Sequence, residues 1–124
     1  MGGAFRGPDA RDRVTGGAIY GDDMAMRGML HGRFLSSPHA AARIVSVDTS
    51  KAAALTGVRA IITGEELDYR LGLYMSDKRV LAKGFVRYQG EPVAAVAADT
   101  EAIAAEACNL IDVQYEALPA VLDP

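Results

Sequence analysis

The side chains best suited to chemistry lie within residues 84–98. Arg87 and Glu91 are four positions apart, across a turn that contains Gly90 and leads into Pro92. A guanidinium and a carboxylate at this spacing can form a hydrogen-bonded ion pair that fixes the turn. The alternative is a catalytic carboxylate in a cleft. Because no other convergent group accompanies them, these four residues are predicted to be structural or interface residues.

The remaining reactive side chains do not form a recognisable site. His31 and His39 have no further ligand at metal-binding spacing and no serine or cysteine in a nucleophile motif. Cys108 is expected to be a buried, unreactive thiol. The acid pairs 22–23 and 65–66 are typical of helix starts or solvated turns. The sequence also lacks both glycine-rich phosphate-binding motifs, so no catalytic, cofactor-binding or metal-binding residue is predicted.

The composition favours one globular domain. The chain has 124 residues, of which 50% are hydrophobic and 23% charged. A net charge of -3 argues against a general nucleic-acid binder. Residues 91–124 contain acidic side chains but no Lys or Arg, which is either chance or a surface for a basic partner.

The cysteine count and the length of the apolar runs indicate the cellular compartment of the chain. A single cysteine excludes an internal disulfide and fits a reducing compartment. No run approaches the ~18 apolar residues of a membrane span, and the first 14 residues do not resemble a signal peptide. We therefore expect a cytoplasmic protein without membrane or nucleic-acid partners.

Short elements are predicted to position these side chains. Residues 1–13 are expected to be a polar, loop-like lead-in, and residues 68–83 a long loop. The predicted strands are 18–20, 29–36, 44–48, 58–62, 85–88, 93–98 and 113–116, and the predicted helices are 49–55 and 99–111.

Finer expectations concern the two predicted helices. Asp99 is the predicted N-cap of the second helix, whose apolar stripe comprises Ile103, Ala107, Leu110 and Ile111. The four alanines of strand 93–98 suit close approach by a helix or another backbone. Gly57 is placed where a left-handed residue would end the first helix.

Several short stretches of the sequence are characteristic when they are taken together and in order. They are 11–16 (RDRVTG) with Ala18 and Tyr20, 28–31 (GMLH), 35–40 (LSSPHA), 42–44 (ARI), 47–52 (VDTSKA), 55–58 (LTGV), 86–94 (VRYQGEPVA) and 111–119 (IDVQYEALP). In this order they resemble the a/b hammerhead domain, the N-terminal part of the molybdenum-binding large subunit of the xanthine dehydrogenase and aldehyde oxidase family. Each stretch alone is weak evidence for this family, but the whole set in this order is specific.

The resemblance implies an α+β fold, with a mixed sheet of short strands and one short and one longer helix. It places the a/b hammerhead domain at residues 14–124, after the lead-in. It also implies that the whole enzyme is an oxidoreductase that hydroxylates a carbon with oxygen from water, or in some members reduces a thioester-activated phenol. Its cofactors would be molybdenum on a pyranopterin (molybdopterin), two [2Fe–2S] clusters and often FAD.

Most of that enzyme has no counterpart in these residues. The family's molybdopterin loops, catalytic glutamate and iron–sulfur ligands lie in other domains or subunits. The first interpretation is therefore a non-catalytic domain or small subunit of a molybdenum hydroxylase. Its expected partners are the remaining molybdopterin-binding domains, an iron–sulfur subunit and often an FAD subunit. The second is a free-standing interaction or scaffold module, and the third is a small enzyme that uses Glu91 or His31.

Overall fold

The computed structural model describes residues 7–67, 69–72 and 74–121. Within these ranges the elements are α1 (Ala10–Thr15), a 3-10 turn (Gly21–Asp23), β1 (His31–Ser36), β2 (Ala42–Asp48), α2 (Ser50–Ala53), β3 (Val58–Thr63), β4 (Arg70–Leu71), β5 (Lys78–Arg79), β6 (Phe85–Val86), β7 (Pro92–Ala98), α3 (Glu101–Leu110) and β8 (Asp112–Ala117).

The strands form two three-stranded sheets and one two-stranded ribbon. Sheet A has the order β1-β7-β3, sheet B the order β6-β2-β8, and the ribbon pairs β4 with β5. The α+β class is confirmed. The strands are not combined in one mixed sheet, however, because every ladder of the described residues is antiparallel. Residue patterns predict where strands occur, but they do not identify the partners.

Helix α3 packs closely on sheet A because both surfaces carry small side chains. Ala94 and Val96 of β7 share a buried cluster with Ala107 and Cys108 of α3. This confirms the expectation that the alanine-rich strand is approached closely by a helix. The buried face of α3 is rotated from the predicted stripe, since Ala104 is fully buried there.

A second buried cluster lies beside sheet B. Ala42 of β2 and Val86 of β6 pack there against Val93 of β7 and Ala82 of the preceding segment. Because Val93 belongs to sheet A, this cluster joins the two sheets.

The loop predicted over residues 10–13 and the strand predicted over 18–20 were wrong, and residues 1–6 of the predicted lead-in lie outside the described residues. Residues 10–15 form helix α1, closed by Gly16 at φ 73° and supported by an ion pair between Arg13 and Asp9 at 2.5 Å. Residues 18–20 form no strand. Instead, Asp23 Oδ2 accepts a hydrogen bond from the Tyr20 backbone N–H at 3.0 Å. Three apolar residues without a partner strand cannot form a ladder, so the local turn prevails.

The N-cap of α3 is Thr100, not Asp99. Thr100 Oγ1 accepts a hydrogen bond from the Ile103 N–H at 3.2 Å. The Asp99 carboxylate binds the Arg59 guanidinium through two contacts of 2.7 and 2.8 Å. The hydrogen bond from Arg59 lowers the pKa of Asp99. Asp and Thr are both common N-cap residues. Because the Asp99 side chain is bound to Arg59, Thr100 caps the helix instead.

Two further segments refine the predictions. Gly57 has a φ of 95°, which confirms its left-handed conformation, but it does not end the helix, because α2 stops at Ala53 with Ala54 as its C-cap. Helix α2 is one turn long, and Asp48 at its start accepts a hydrogen bond from the Ser50 N–H at 2.9 Å. The predicted loop at 68–83 contains the β4–β5 ribbon, and Leu81 near its end is 1% exposed.

Candidate functional site

The residues singled out by the sequence lie where the chain passes from sheet B to sheet A. Strand β6 ends at Val86 in sheet B, and β7 begins at Pro92 as the central strand of sheet A. Between them Gly90 has a φ of 90°, a conformation that glycine adopts at little cost. We refer to residues 87–92 as the junction.

Backbone hydrogen bonds from two other segments hold the junction. The Ser37 N–H donates to the Glu91 carbonyl at 2.9 Å, and the Gly90 N–H donates to the Ser37 carbonyl at 2.8 Å. The Ala82 N–H donates to the Pro92 carbonyl at 2.7 Å. Ser37 is 2% exposed and was missed by sequence reasoning, because a serine before proline is typical of any surface turn.

Glu91 is a buried carboxylate with both oxygens engaged. It is 2% exposed. Its Oε2 accepts a hydrogen bond from the Arg87 backbone N–H at 2.6 Å. Its Oε1 accepts bonds from the Arg87 guanidinium, at 2.9 Å from Nη2 and 3.2 Å from Nε. The structure therefore brings Arg87 and Glu91 together as the sequence predicts.

The arginine of this pair reaches the surface. Half of the Arg87 side chain is exposed, and its Nη1 lies 3.4 Å from the Asp77 carbonyl. The hydrogen bond and the charge of Glu91 raise the pKa of Arg87, so the guanidinium is held in its charged form. A carboxylate bound in this way stabilises the turn and is poorly placed to accept a proton from a substrate.

Two concave surfaces flank the junction. A cavity of about 240 Å³ is lined by Arg79, Lys83 and Arg87 together with Phe85 and Glu91. A shallow groove of about 800 Å³ adjoins the junction and carries a mostly apolar set of side chains, including Phe85, Tyr88, Leu118, Pro119 and Val121. Phe85 is 54% and Val121 90% exposed, so the groove presents apolar surface to solvent.

The histidines do not join the junction's ion pair. His31 lies at the start of β1, where it pairs with Ala98. The His39 ring contacts the Tyr115 ring edge-on, with centroids 4.8 Å apart. Burial raises the pKa of Tyr115, and a hydrogen bond from Ser37 opposes that shift.

Cys108 is buried, as predicted, at 5% exposure. Its Sγ lies 3.9 Å from the Arg33 carbonyl. Burial raises the pKa of this thiol, and the charge of Arg33 only partly opposes the effect. The thiolate required for nucleophilic chemistry is therefore disfavoured.

The two acid pairs are engaged in turns or ion pairs. Asp23 closes the 3-10 turn described above. Glu66 Oε2 accepts a hydrogen bond from the Thr63 N–H at 2.9 Å, and Glu65 lies 3.3 Å from Lys83 Nζ. Neither pair forms an acid–base couple.

The side chains that commonly bind metal ions are dispersed over the described residues. Across 7–67, 69–72 and 74–121, no three His, Cys, Asp or Glu side chains are grouped to hold a metal ion. In the same ranges, every buried side-chain nitrogen and oxygen has a hydrogen-bond partner. None of the helices described there is long and apolar enough to cross a bilayer.

Comparison with known proteins gives consistent matches. The family model for the "Aldehyde oxidase and xanthine dehydrogenase, a/b hammerhead domain" matches residues 15–119. The chain is 43% identical over 119 residues to a probable xanthine dehydrogenase subunit of Bacillus subtilis (strain 168), covering 94% of this chain and 16% of that protein. It is 44% identical over 116 residues to the "Carbon monoxide dehydrogenase large chain" of Afipia carboxidovorans, covering 90% of this chain and 14% of that one.

A solved structure shares the fold. The crystal structure of the Cu,Mo-CO dehydrogenase in its carbon monoxide reduced state superposes with a TM-score of 0.92 and 39% identity. The superposition covers 99% of this chain and 16% of that chain. The chain thus spans about a sixth of the length of the relatives it matches. None of these relatives is a free-standing scaffold module.

Proposed function

Because the chain belongs to the a/b hammerhead domain family of aldehyde oxidases and xanthine dehydrogenases, we propose that it is a non-catalytic, structural domain of a molybdenum hydroxylase. In this role it contributes to the protein shell around an active site whose molybdopterin-binding part is supplied by other residues. The whole enzyme hydroxylates a carbon atom with oxygen from water. Molybdopterin, [2Fe–2S] clusters and, in many members, FAD are held by the remaining domains or by partner subunits.

The observation that carries the non-catalytic role is the burial and hydrogen bonding of the Glu91 carboxylate. This carboxylate is buried, and both of its oxygens accept hydrogen bonds from Arg87. A general base needs a free oxygen within reach of a substrate proton. Glu91 instead stabilises the junction, which supports a positioning role for this segment and opposes the small-enzyme interpretation.

The junction is also proposed as a contact surface. Arg87, Gly90, Glu91 and Pro92 give it a fixed shape, and the adjoining groove exposes apolar side chains. Contiguous exposed apolar patches on soluble domains usually mark interaction sites. We assign this surface to the molybdopterin-binding remainder of the large subunit.

A chimera tests the proposal. The 116-residue match in the Afipia carboxidovorans large chain is replaced by this chain, and molybdenum content and soluble yield are measured. We expect the chimera to bind molybdenum as the unaltered large chain does, whereas the chain alone binds none. Stoichiometric molybdenum on the chain alone would overturn the non-catalytic role. A chimera that does not fold would overturn the assignment as an equivalent domain.

Matched variants of the chimera test the contact surface. Phe85→Ser combined with Leu118→Ser removes apolar side chains from the groove, and we expect a lower soluble yield. Tyr74→Ser is the control, because Tyr74 is 94% exposed and lies outside the groove. Equal yields for the two variants would contradict the contact assignment.

A further inference from the structure

Residues 7–30 make no contribution to either buried cluster. The clusters and the hydrophobic side chains packed against them begin at Leu35. No residue of 7–30 is buried, and only Gly7 and Ala18 are half-buried. We refer to residues 7–30 as the arm.

The arm's conformation is maintained by its own local contacts. Its backbone hydrogen bonds among the described residues connect arm residues to each other, as in Gly17 to Asp12 and Met29 to Met26. The Thr15 hydroxyl donates to the Arg11 carbonyl at 2.8 Å, and Arg13 pairs with Asp9. The arm is thus locally ordered, yet in the described part of the chain it is not packed against a core.

The arm nevertheless carries many large apolar side chains. Exposure is 84% for Val14, 78% for Ile19 and 68% for Met26. Four more large apolar residues of the arm are also exposed, namely Tyr20, Met24, Met29 and Leu30. Scattered single apolar residues on a surface are ordinary, whereas seven exposed large ones within 24 consecutive positions are unusual for a segment that faces only water.

The comparisons give a candidate for the polypeptide that covers these side chains. The superposition on the Cu,Mo-CO dehydrogenase covers 99% of the chain at a TM-score of 0.92. Because the arm is about a fifth of the chain, that score requires the arm to occupy a similar position there. The family match begins at residue 15 and so includes most of the arm. In each named relative, the matched domain is part of a much longer polypeptide, and the rest of that polypeptide is therefore available to cover the arm.

We propose that the arm is a second docking element, whose apolar side chains are covered by the remainder of the large subunit. This inference rests on the proposed function and extends it to a surface separate from the junction. The arm leads into β1 of sheet A, whereas the groove beside the junction begins at β6 of sheet B. The two sheets would thus each contribute one contact with the remainder.

The arm's charges support a protein partner over a membrane. Asp12, Asp22 and Asp23 lie among Arg11, Arg13 and Arg27. A segment that lies on an anionic membrane usually has a predominantly basic polar face. Mixed charges beside apolar side chains are better suited to the polar rim and apolar centre of a protein interface.

Hydrogen–deuterium exchange tests the arm in the isolated 124-residue chain and in the chimera described above. In the isolated chain, we expect arm amides to exchange much faster than those of α3. In the chimera, arm exchange should slow by at least ~10-fold, because covered segments open less often. A folded chimera whose arm exchanges as fast as in the isolated chain would overturn the docking role alone. A chimera that does not fold overturns both proposals, since the arm then has no large-chain partner.

Matched substitutions provide a second measurement. Ile19→Ser combined with Met26→Ser should lower the thermal midpoint of the chimera by at least ~2 °C and leave that of the isolated chain unchanged. Tyr74→Ser is the control, since Tyr74 is 94% exposed and lies outside the arm, and it should change neither. If the isolated chain sediments as a dimer with a protected arm, a second copy covers the arm and the proposal is wrong.

Discussion

Glu91 illustrates how a buried charge depends on a single partner. Removing a carboxylate from water is costly unless hydrogen bonds replace those of the solvent. Arg87 provides these bonds through its backbone N–H and its guanidinium, so the two residues form a local unit. The pair was predictable because its members are four positions apart, and no distant residue is needed to form it.

Substitution of Glu91 measures how much the Glu91–Arg87 pair contributes to the free energy of unfolding. Glu91→Gln keeps the shape but removes the charge and leaves one oxygen to serve the Arg87 donors. We expect the free energy of unfolding to fall by ~1–3 kcal/mol, measured by urea denaturation. Glu101→Gln is the control, because Glu101 is exposed and lies 3.6 Å from Arg33. Equal losses for the two variants would show that Glu91 does not act as a buried brace.

Cys108 should make the fold sensitive to alkaline pH. Burial raises its pKa above the ordinary 9.0, so the native state retains the proton more strongly than the unfolded chain. The stability that the protonated Cys108 thiol contributes is fully present below pH 9 and is lost as the pH rises through the native pKa.

The alkaline sensitivity can be measured by urea denaturation between pH 7 and 11. Cys108→Ala should show a shallower loss of stability over this range than the wild type. Tyr115, whose pKa is also raised, remains in both proteins and provides a common background. Identical slopes would contradict the role of the thiol.

At the scale of elements, the central parts of the main strands were predictable and the ends were not. Alternating β-branched residues identify β2, because that period fits a half-buried strand, and β3 is identified by its high content of β-branched residues. Helix α1 was missed because its supports, an ion pair and a terminal glycine, do not produce an apolar period. The cap of α3 was misplaced because the competing contact from Arg59 is 40 residues away.

The end of β3 depends on the absence of a side chain at Gly64. A Cβ built at this residue would lie 2.0 Å from the Ala82 carbonyl oxygen, a backbone atom that cannot easily move. Gly64→Ala should therefore lower the free energy of unfolding by ~1–3 kcal/mol, measured by urea denaturation. In the control Gly32→Ala, the same atom would be 4.0 Å from its nearest neighbour. A loss no larger than that of Gly32→Ala would contradict the predicted clash.

At the scale of the whole molecule, the family was recognisable and the sheet pairing was not. The ordered motifs identified the a/b hammerhead, and the family match confirms that resemblance. The residues around Gly90 predicted a turn, but not that β6 and β7 belong to different sheets. That division depends on contacts between residues far apart in sequence, such as His31 and Ala98, which local patterns cannot reveal.

Limited proteolysis should separate the arm from the rest of the isolated chain. The arm opens without disrupting a core, whereas Arg59 is paired with Asp99 within the folded body. Trypsin should therefore cleave after Arg11, Arg13 or Arg27 well before Arg59. The order of cleavage can be followed by mass spectrometry. Simultaneous cleavage at Arg27 and Arg59 would show that the arm is part of the cooperative core.

The strand order has a consequence for synthesis on the ribosome. In the described ladders β1 and β3 pair with β7, and β2 pairs with β6 and β8. A nascent chain that ends before residue 85 thus contains the first three strands without a partner for any of them. Neither three-stranded sheet can close until the last third of the domain has emerged. Until then the growing polypeptide exposes unpaired backbone edges, which makes this interval the one in which chaperone protection matters most.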